Sequence, residues 1–392
     1  MSPGSVRGGL FTLTSSALGA SILLLPFIAK QCGVVLAVLI LLVGAGMNKW
    51  SLDQVVHSVD RYTIYNYPDL LNAVIGKWAK RLWEILIVIY AIGILIGFQI
   101  IIGDLSQSIA LSFGIPLPPE FQRIIVMCVV NWGLMIPLSS FRDLSKLRGA
   151  ATFGVISLTY IVLVTLVEFP LYIESASMEN VRYVVIDENI FSCISVCFLA
   201  FFCHTNVCSV HGQIYNPTIK RMKKITTRTV VIQLMIYSSL VVFGYLSTLD
   251  QTPKVFTSRI SPEVLGEDWP MVIGRVLMLI TLVMAISINL HPCRMAIFNG
   301  IRRPNPPLWQ HLLVTYAFLE VTLILAIVIP DVMIVFNILG ALCSITLLAI
   351  FPGLLSIYTK KGTKIKKSMI WGMMSVLTTV AAATIILTMV PI

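Results

Sequence analysis

Charge is scarce in this chain of 392 residues: Asp, Glu, Lys and Arg make up 12% of it, against about 25% in soluble globular domains. Without a charged shell, and with 57% hydrophobic residues and a mean hydropathy of +0.91, a soluble fold is excluded. No polar stretch is long enough for a soluble domain. Aliphatic residues are too many for disorder, and no glycine period points to a collagen-like chain. No usable N-glycosylation sequon occurs, because Asn216 is followed by Pro217. Metalloenzyme signatures are lacking too. Cys203, His204, Cys208 and His211 match neither H-E-x-x-H nor a paired C-x-x-C, and no Asp or Glu base stands beside them. An enzyme, a catalytic residue, a bound metal and an organic cofactor are therefore not expected.

What is present is a series of apolar windows, each near the 20 residues that a membrane crossing needs. Eleven spans are expected, at about 9–29, 33–57, 82–110, 121–138, 149–171, 190–215, 229–249, 269–298, 309–329, 333–358 and 369–391. One arginine precedes the first window, but that window begins too close to the terminus and carries Gly and Ser mid-span, unlike a leader peptide. The eight cysteines lie in or at the edge of the windows and are expected to be free, buried thiols.

The formal net charge of +10 sits in short clusters beside the windows, which is a topology signal and not a nucleic-acid surface. Most of the 28 basic residues fall on the side of the N-terminus, leaving Lys30, Arg123, Arg182, Lys254, Arg259 and Arg275 on the other face with most of the acids. The N-terminus is thus expected in the cytoplasm. Tyr67 to Arg81 is amphipathic, too short to cross, and expected along the cytoplasmic surface. The acidic external segment from Glu174 to Glu188 carries no motif. Arg294 is expected to snorkel to the interface. The basic cluster Lys220 to Lys224 and the run Lys360 to Lys367 could touch anionic membrane lipid, although topology explains both.

Two spans carry polarity at a depth where an anchor would carry Leu and Ile. Span one has Ser15, Ser16, Gly19, Ala20 and Ser21 halfway across. This is either a tight packing surface of small residues or a break whose freed amides suit a carboxylate. Span six reads Phe198-Leu199-Ala200-Phe201-Phe202-Cys203-His204-Thr205-Asn206-Val207, with four consecutive polar or thiol residues at mid-membrane. Spans one and six open two five-span halves, about 9–171 and 190–358, followed by an extra helix at about 369–391. That order fits the inverted repeats of transporters with discontinuous helices.

Phe202 to Val207, followed by Asn216-Pro217-Thr218-Ile219-Lys220-Arg221, resembles the sixth span and basic loop of the amino acid/auxin permease family, above all its sodium-coupled neutral amino acid transporter branch. Gly19 to Leu23 with Leu25-Pro26, Ile101 to Asp104, Pro292-Cys293-Arg294, and Leu339 to Ala341 with Phe351-Pro352 match in the same order along the chain. The resemblance implies an all-α polytopic membrane protein of eleven transmembrane helices, a single domain with the 5+5 inverted repeat of the bacterial leucine transporter plus one helix. It implies amino acid transport by alternating access, with a small-molecule amino acid as the partner. By analogy the substrate carboxylate meets amides around Gly19, Ala20, Ser21 and Ile22. Its ammonium faces carbonyls near Ser15, Ser16 and Ala200 to Phe202, with Cys203 and His204 beside them.

The coupling ion is where the chain departs from the branch. Sodium-coupled relatives place an Asn in the first half of span one and a hydroxyl on span eight, where this chain has Ser15 and Ala285. Ser287 is two residues on, roughly 200° around the helix. Proton coupling or facilitated diffusion gains weight, since a proton needs one titratable group. Candidates are Glu320 in span nine and His204. Each also has a structural reading, as a hydrogen-bonded helix tie. Gln99, Asp104 and Asn131 are read first as ties between helices. A sensor that signals substrate occupancy through its loops is the alternative function. Substrate side chain, direction of flux, oligomeric state, and plasma versus vacuolar or lysosomal membrane stay open.

Overall fold

A helix pairs its own backbone groups, so in a chain this apolar each long window folds as one. The computed structural model describes residues 5–114, 119–141, 149–174, 178–261, 267–300, 306–329, 331–359 and 364–389. The basic residues expected at Arg142, Lys146, Arg148, Arg302, Arg303, Lys360 and Lys361 lie outside the described residues.

The helices are α1 (Val6–Ala17), α2 (Leu25–Cys32), α3 (Val34–Tyr62), α4 (Tyr67–Val74), α5 (Lys77–Ser112), α6 (Pro119–Val130), α7 (Ile136–Ser139), α8 (Ala150–Glu174), α9 (Asn189–Ala200), α10 (His204–Gln213), α11 (Ile219–Thr248), α12 (Trp269–Gly300), α13 (Leu308–Val328), α14 (Val332–Leu339), α15 (Phe351–Thr359) and α16 (Lys364–Met389). No strand occurs among the described residues. Among the described residues, nine helical stretches are long and apolar enough to cross a membrane, with α9–α10 and α14–α15 each counting as one. The pair α1 and α2 makes a tenth, bent by 52° at its break. The expected fourth span appears as the shorter apolar stretch Arg123–Ser139.

Three local features follow from single residues. Pro137 has no N–H for the carbonyl of Gly133, and the turn ahead of it, Asn131–Met135, widens to a π-helix. Pro352 likewise follows two π turns, Gly340–Ser344 and Thr346–Ile350. Gly76, at φ 130°, splits the segment expected to lie along the surface. Only Tyr67–Val74 forms the short helix, and Lys77 to Arg81 open the third span, because Gly alone takes that backbone cheaply.

The chain forms two compact units. One comprises Met1–Ile87, Arg182–Val242 and Asn337–Ile392, the other Val88–Val181 and Phe243–Phe336. Each therefore draws helices from both of the expected halves. In the first, the segment after α8, read above as motif-free, ties down the turn between α2 and α3: Val34 and Val35 N–H donate to Arg182 O and Tyr183 O, and Val185 N–H to Cys32 O, at 2.8 to 3.0 Å. Those amides open α3 and would otherwise lack partners.

Candidate functional site

The interruption of span one falls at Leu18 and Gly19. Leu18 turns to ψ 81° and Gly19 is extended at φ −111°, ψ −175°. A 3₁₀ turn, Ala20–Leu24, then leads into α2. The first bond of that turn runs from Ile22 N–H to Gly19 O at 3.3 Å, while Gly19 N–H folds back on Ala17 O at 2.9 Å. The amides of Ala20 and Ser21 therefore precede the ladder, as the leading N–H groups of any helix do. Ser15 and Ser16 stay in the last turn of α1, their hydroxyls donating to Thr12 O at 3.1 Å and Leu13 O at 2.9 Å. Ala20 and Ile22 are buried, Gly19 is half-buried, and a Cβ added at Gly19 would meet no atom within 4 Å.

The interruption of span six falls at Phe201 to Cys203, where Cys203 sits at φ −141°, ψ 12° and precedes His204, the first residue of α10. Ala200, Phe201, Phe202, Cys203 and His204 are all buried. His204 Nε2 lies 2.7 Å from Ser51 Oγ on α3, and Ser51 donates its own hydrogen to Leu348 O. Leu348 is the residue whose i+4 partner is Pro352, which has no N–H to offer it. With Ser51's proton spent on that carbonyl, Ser51 accepts from His204, so Nε2 carries the hydrogen and Nδ1 is a bare lone pair. His204 Nδ1 is buried without a partner.

One side chain joins the two interruptions. Tyr237 on α11 offers its hydroxyl to Ala17 O at 3.2 Å and to Ala200 O at 2.7 Å, the last residues of α1 and α9, and its ring lies 5.1 Å from that of Phe201. Both breaks thus share a donor at their carbonyl ends. Close by in the chain, Gln233 accepts from Asn48 Nδ2 at 3.2 Å, while Asn48 Oδ1, Gln233 Nε2 and Thr229 Oγ1 are buried without partners. Tyr237, Asn48, Gln233 and Ser51 were absent from the expected site. For Asn48, Gln233 and Ser51 the signal in the sequence was a polar residue at the middle of an apolar window, the same signal that singled out Gln99; Tyr237 carried none.

The remaining candidates lie in the second unit, at separate places. Ser287 is buried, accepting from Ser139 Oγ at 3.0 Å and donating to Val283 O. Glu320 is half-buried and accepts from Trp132 Nε1 at 2.7 Å and Asn131 Nδ2 at 3.3 Å, at the π turn of span four. Gln99 reaches Asn131 at 3.4 Å, and Asp104 accepts from Arg123 at 3.0 Å, so both act as ties between helices. Arg294 does not snorkel. It is 2% exposed, donating to Ser139 O and, at 3.0 Å, to Thr315 Oγ1. The carbonyl of Ser139 at the end of α7 and a hydroxyl on α13 draw the guanidinium inward through one nitrogen, while Nε and Nη2 are buried without partners.

The arrangement offers amides and carbonyls at two breaks. The profile of the family described as "Transmembrane amino acid transporter protein" matches residues 2–392. Sodium-coupled neutral amino acid transporter 7 of Xenopus laevis is 26% identical over 91% of this chain and 81% of its own length. A putative amino acid transporter of Toxoplasma gondii is 25% identical over 77% of this chain, which spans 41% of that protein. Human solute carrier family 38 member 10 is 24% identical over 93% of this chain and 33% of its own length. This chain therefore spans less than half of two of these three relatives. Among solved structures, a manganese transporter of Eremococcus coleocola superposes with a TM-score of 0.56 at 13% identity, over 97% of this chain and 86% of that one. At that identity the likeness concerns the fold alone. From a match along nearly its whole length, this multi-pass membrane protein, which is not an enzyme, belongs to the transmembrane amino acid transporter family.

Proposed function

We propose that the chain is a secondary transporter that moves amino acids by alternating access. Its eleven spans form the 5+5 repeat plus one helix of the bacterial leucine transporter, in a single transmembrane domain with the N-terminus in the cytoplasm. The paired interruptions at Leu18-Gly19 and Phe201 to Cys203, joined through Tyr237, carry this reading. The substrate carboxylate sits at the amides of Ala20 and Ser21, since those of Gly19 and Ile22 are bonded to Ala17 O and Gly19 O, and it is favoured by the partial positive charge of a helix start. The ammonium is received by carbonyls near Ser15, Ser16, Phe201 and Phe202. Ala200 O is occupied by Tyr237, which narrows the set.

Coupling is to protons, or absent, and not to sodium. Sodium wants several oxygens, whereas Ala285 supplies no side-chain oxygen and Ser287 is bound to Ser139 and its own helix. His204 carries the proton in preference to Glu320, because it adjoins the span-six break while Glu320 is bonded to Trp132 and Asn131.

Uptake of labelled amino acids into proteoliposomes tests this, with pH and sodium gradients imposed separately. The expected result is accumulation that follows an imposed pH gradient and ignores sodium. Gly19→Leu places a side chain where a Cβ has open space; it should fold, reach the membrane and abolish uptake. Normal uptake by that variant would sink the assignment of the carboxylate site. Sodium-dependent accumulation would overturn the assignment of the ion, and tight binding without uptake would favour a sensor.

A further inference from the structure

His204 is not the only imidazole on its helix face. His211 follows seven residues later on α10, two turns or about 10 Å along the axis and on the same side. Both are buried, at 0% and 2% exposure, and each has Nδ1 buried without a partner. The contacts at the two ends of this column differ. At the inner end, His204 gives its Nε2 hydrogen to Ser51, whose hydroxyl ends on the carbonyl of Leu348. A carbonyl passes no proton onward, so a proton reaching His204 Nδ1 can leave only by the way it came. At the outer end, His211 meets the ring of Tyr65 edge-on at 6.1 Å and lies within the field of Asp60, which is exposed near the end of α3.

We propose, resting on the proton-coupled reading above, that His211 is a relay through which protons pass between the face bearing Asp60 and a terminal store at His204 Nδ1. Loading adds one proton to a neutral imidazole and unloading returns it. The Nε2 hydrogen stays on Ser51 throughout, and no covalent bond between heavy atoms changes. Among the described residues the groups facing the column are few: Ser51 and Asp60 from α3, Tyr65 beyond it, Cys203 capping α10 and Cys208 on it, with Tyr67 of α4 near Cys208. From α1 the approach is apolar, Gly9 packing against Val210 and Ile214. Asp60 is the only acid named among them.

The test uses the whole protein in proteoliposomes with a pH dye inside, read in two modes. Gradient-free amino acid counterflow reports binding and alternating access; substrate-induced lumenal acidification reports proton movement. His211→Gln should keep counterflow within about twofold while losing acidification and driven accumulation by about tenfold or more, a split that a merely structural role would not produce. Asp60→Asn should slow substrate-induced acidification while keeping counterflow within about twofold, since the exposed face from which protons enter then lacks its carboxylate. Acidification by His211→Gln at the wild-type rate overturns the relay, as does loss of counterflow and acidification together. Wild-type counterflow without any proton movement overturns the relay and leaves amino acid transport standing. Absence of counterflow for every amino acid in the wild type overturns the transport reading itself.

Discussion

Tyr237 has one hydroxyl proton and two carbonyls to serve, Ala17 O and Ala200 O, both buried at the ends of broken helices. Tyr237→Phe keeps the ring against Phe201 and removes the hydroxyl that bridges the two breaks. A buried acceptor left without its donor costs about 1–3 kcal/mol, so the variant should melt earlier in detergent and transport poorly. An unchanged midpoint with normal uptake would show that the bridge is idle. This residue was not legible in the sequence: Tyr in an apolar window is ordinary, and only tertiary structure brings it to two helix ends 183 residues apart in the chain. His204, by contrast, was legible as a polar residue at mid-span. Its tautomer was not, since that depends on Ser51 and on a carbonyl opposite Pro352.

At the scale of the element, glycines decide where helices stop and how close they come. Gly33 separates α2 from α3 at φ 86°, and a Cβ there would stand 2.5 Å from Tyr183 O. Gly33→Ala therefore meets both a disfavoured backbone and the segment that ties down this turn. A loss of about 1–3 kcal/mol is expected from the backbone alone, measurable as a lower thermal midpoint. Gly46→Ala is the matched control: it lies inside α3 with no atom within 4 Å of an added Cβ, and helix propensity predicts a gain of up to about 1 kcal/mol. A similar loss for both would refute the local explanation. Interruption of span one was readable from its small residues, because such a cluster supplies little apolar packing in hydrocarbon. The π turns at Asn131–Met135 and Gly340–Ser344 were not, since a prolyl residue marks only where a helix is disturbed and neighbouring packing selects the form of the disturbance.

On the scale of the whole molecule, the second unit also holds charge that water would otherwise take. In the second, Arg259 is buried between Glu168 on α8 and Asp268 just before α12, bonded to both, with its guanidinium 4.1 Å from the Tyr172 ring centre. Burial pushes the Asp268 carboxyl up, yet Arg259, the Tyr172 hydroxyl and the Met271 amide outweigh it and hold the carboxyl below its ordinary range. A depressed carboxyl stabilises the fold above its unfolded value, about 3.9, and that contribution is lost as pH falls through the lower folded value. Asp268→Asn should thus melt earlier than wild type at neutral pH, the difference closing below about pH 4, whereas Arg259→Gln, which leaves two acids facing each other, should cost about 3–5 kcal/mol at neutral pH; equal melting of Arg259→Gln and wild type would refute the pairing. By itself the sequence determined that the chain is helical and membrane-spanning, and that its first and sixth windows carry small or polar residues at mid-depth, because the cost of exposing polar groups to hydrocarbon is local and each window carries it alone. Tertiary structure decided which helices form each unit, that Arg294 turns inward, that Tyr237 joins the two breaks and that His204 keeps a bare Nδ1. Those depend on atoms distant in the chain meeting at hydrogen-bond range, which no local pattern of residues encodes.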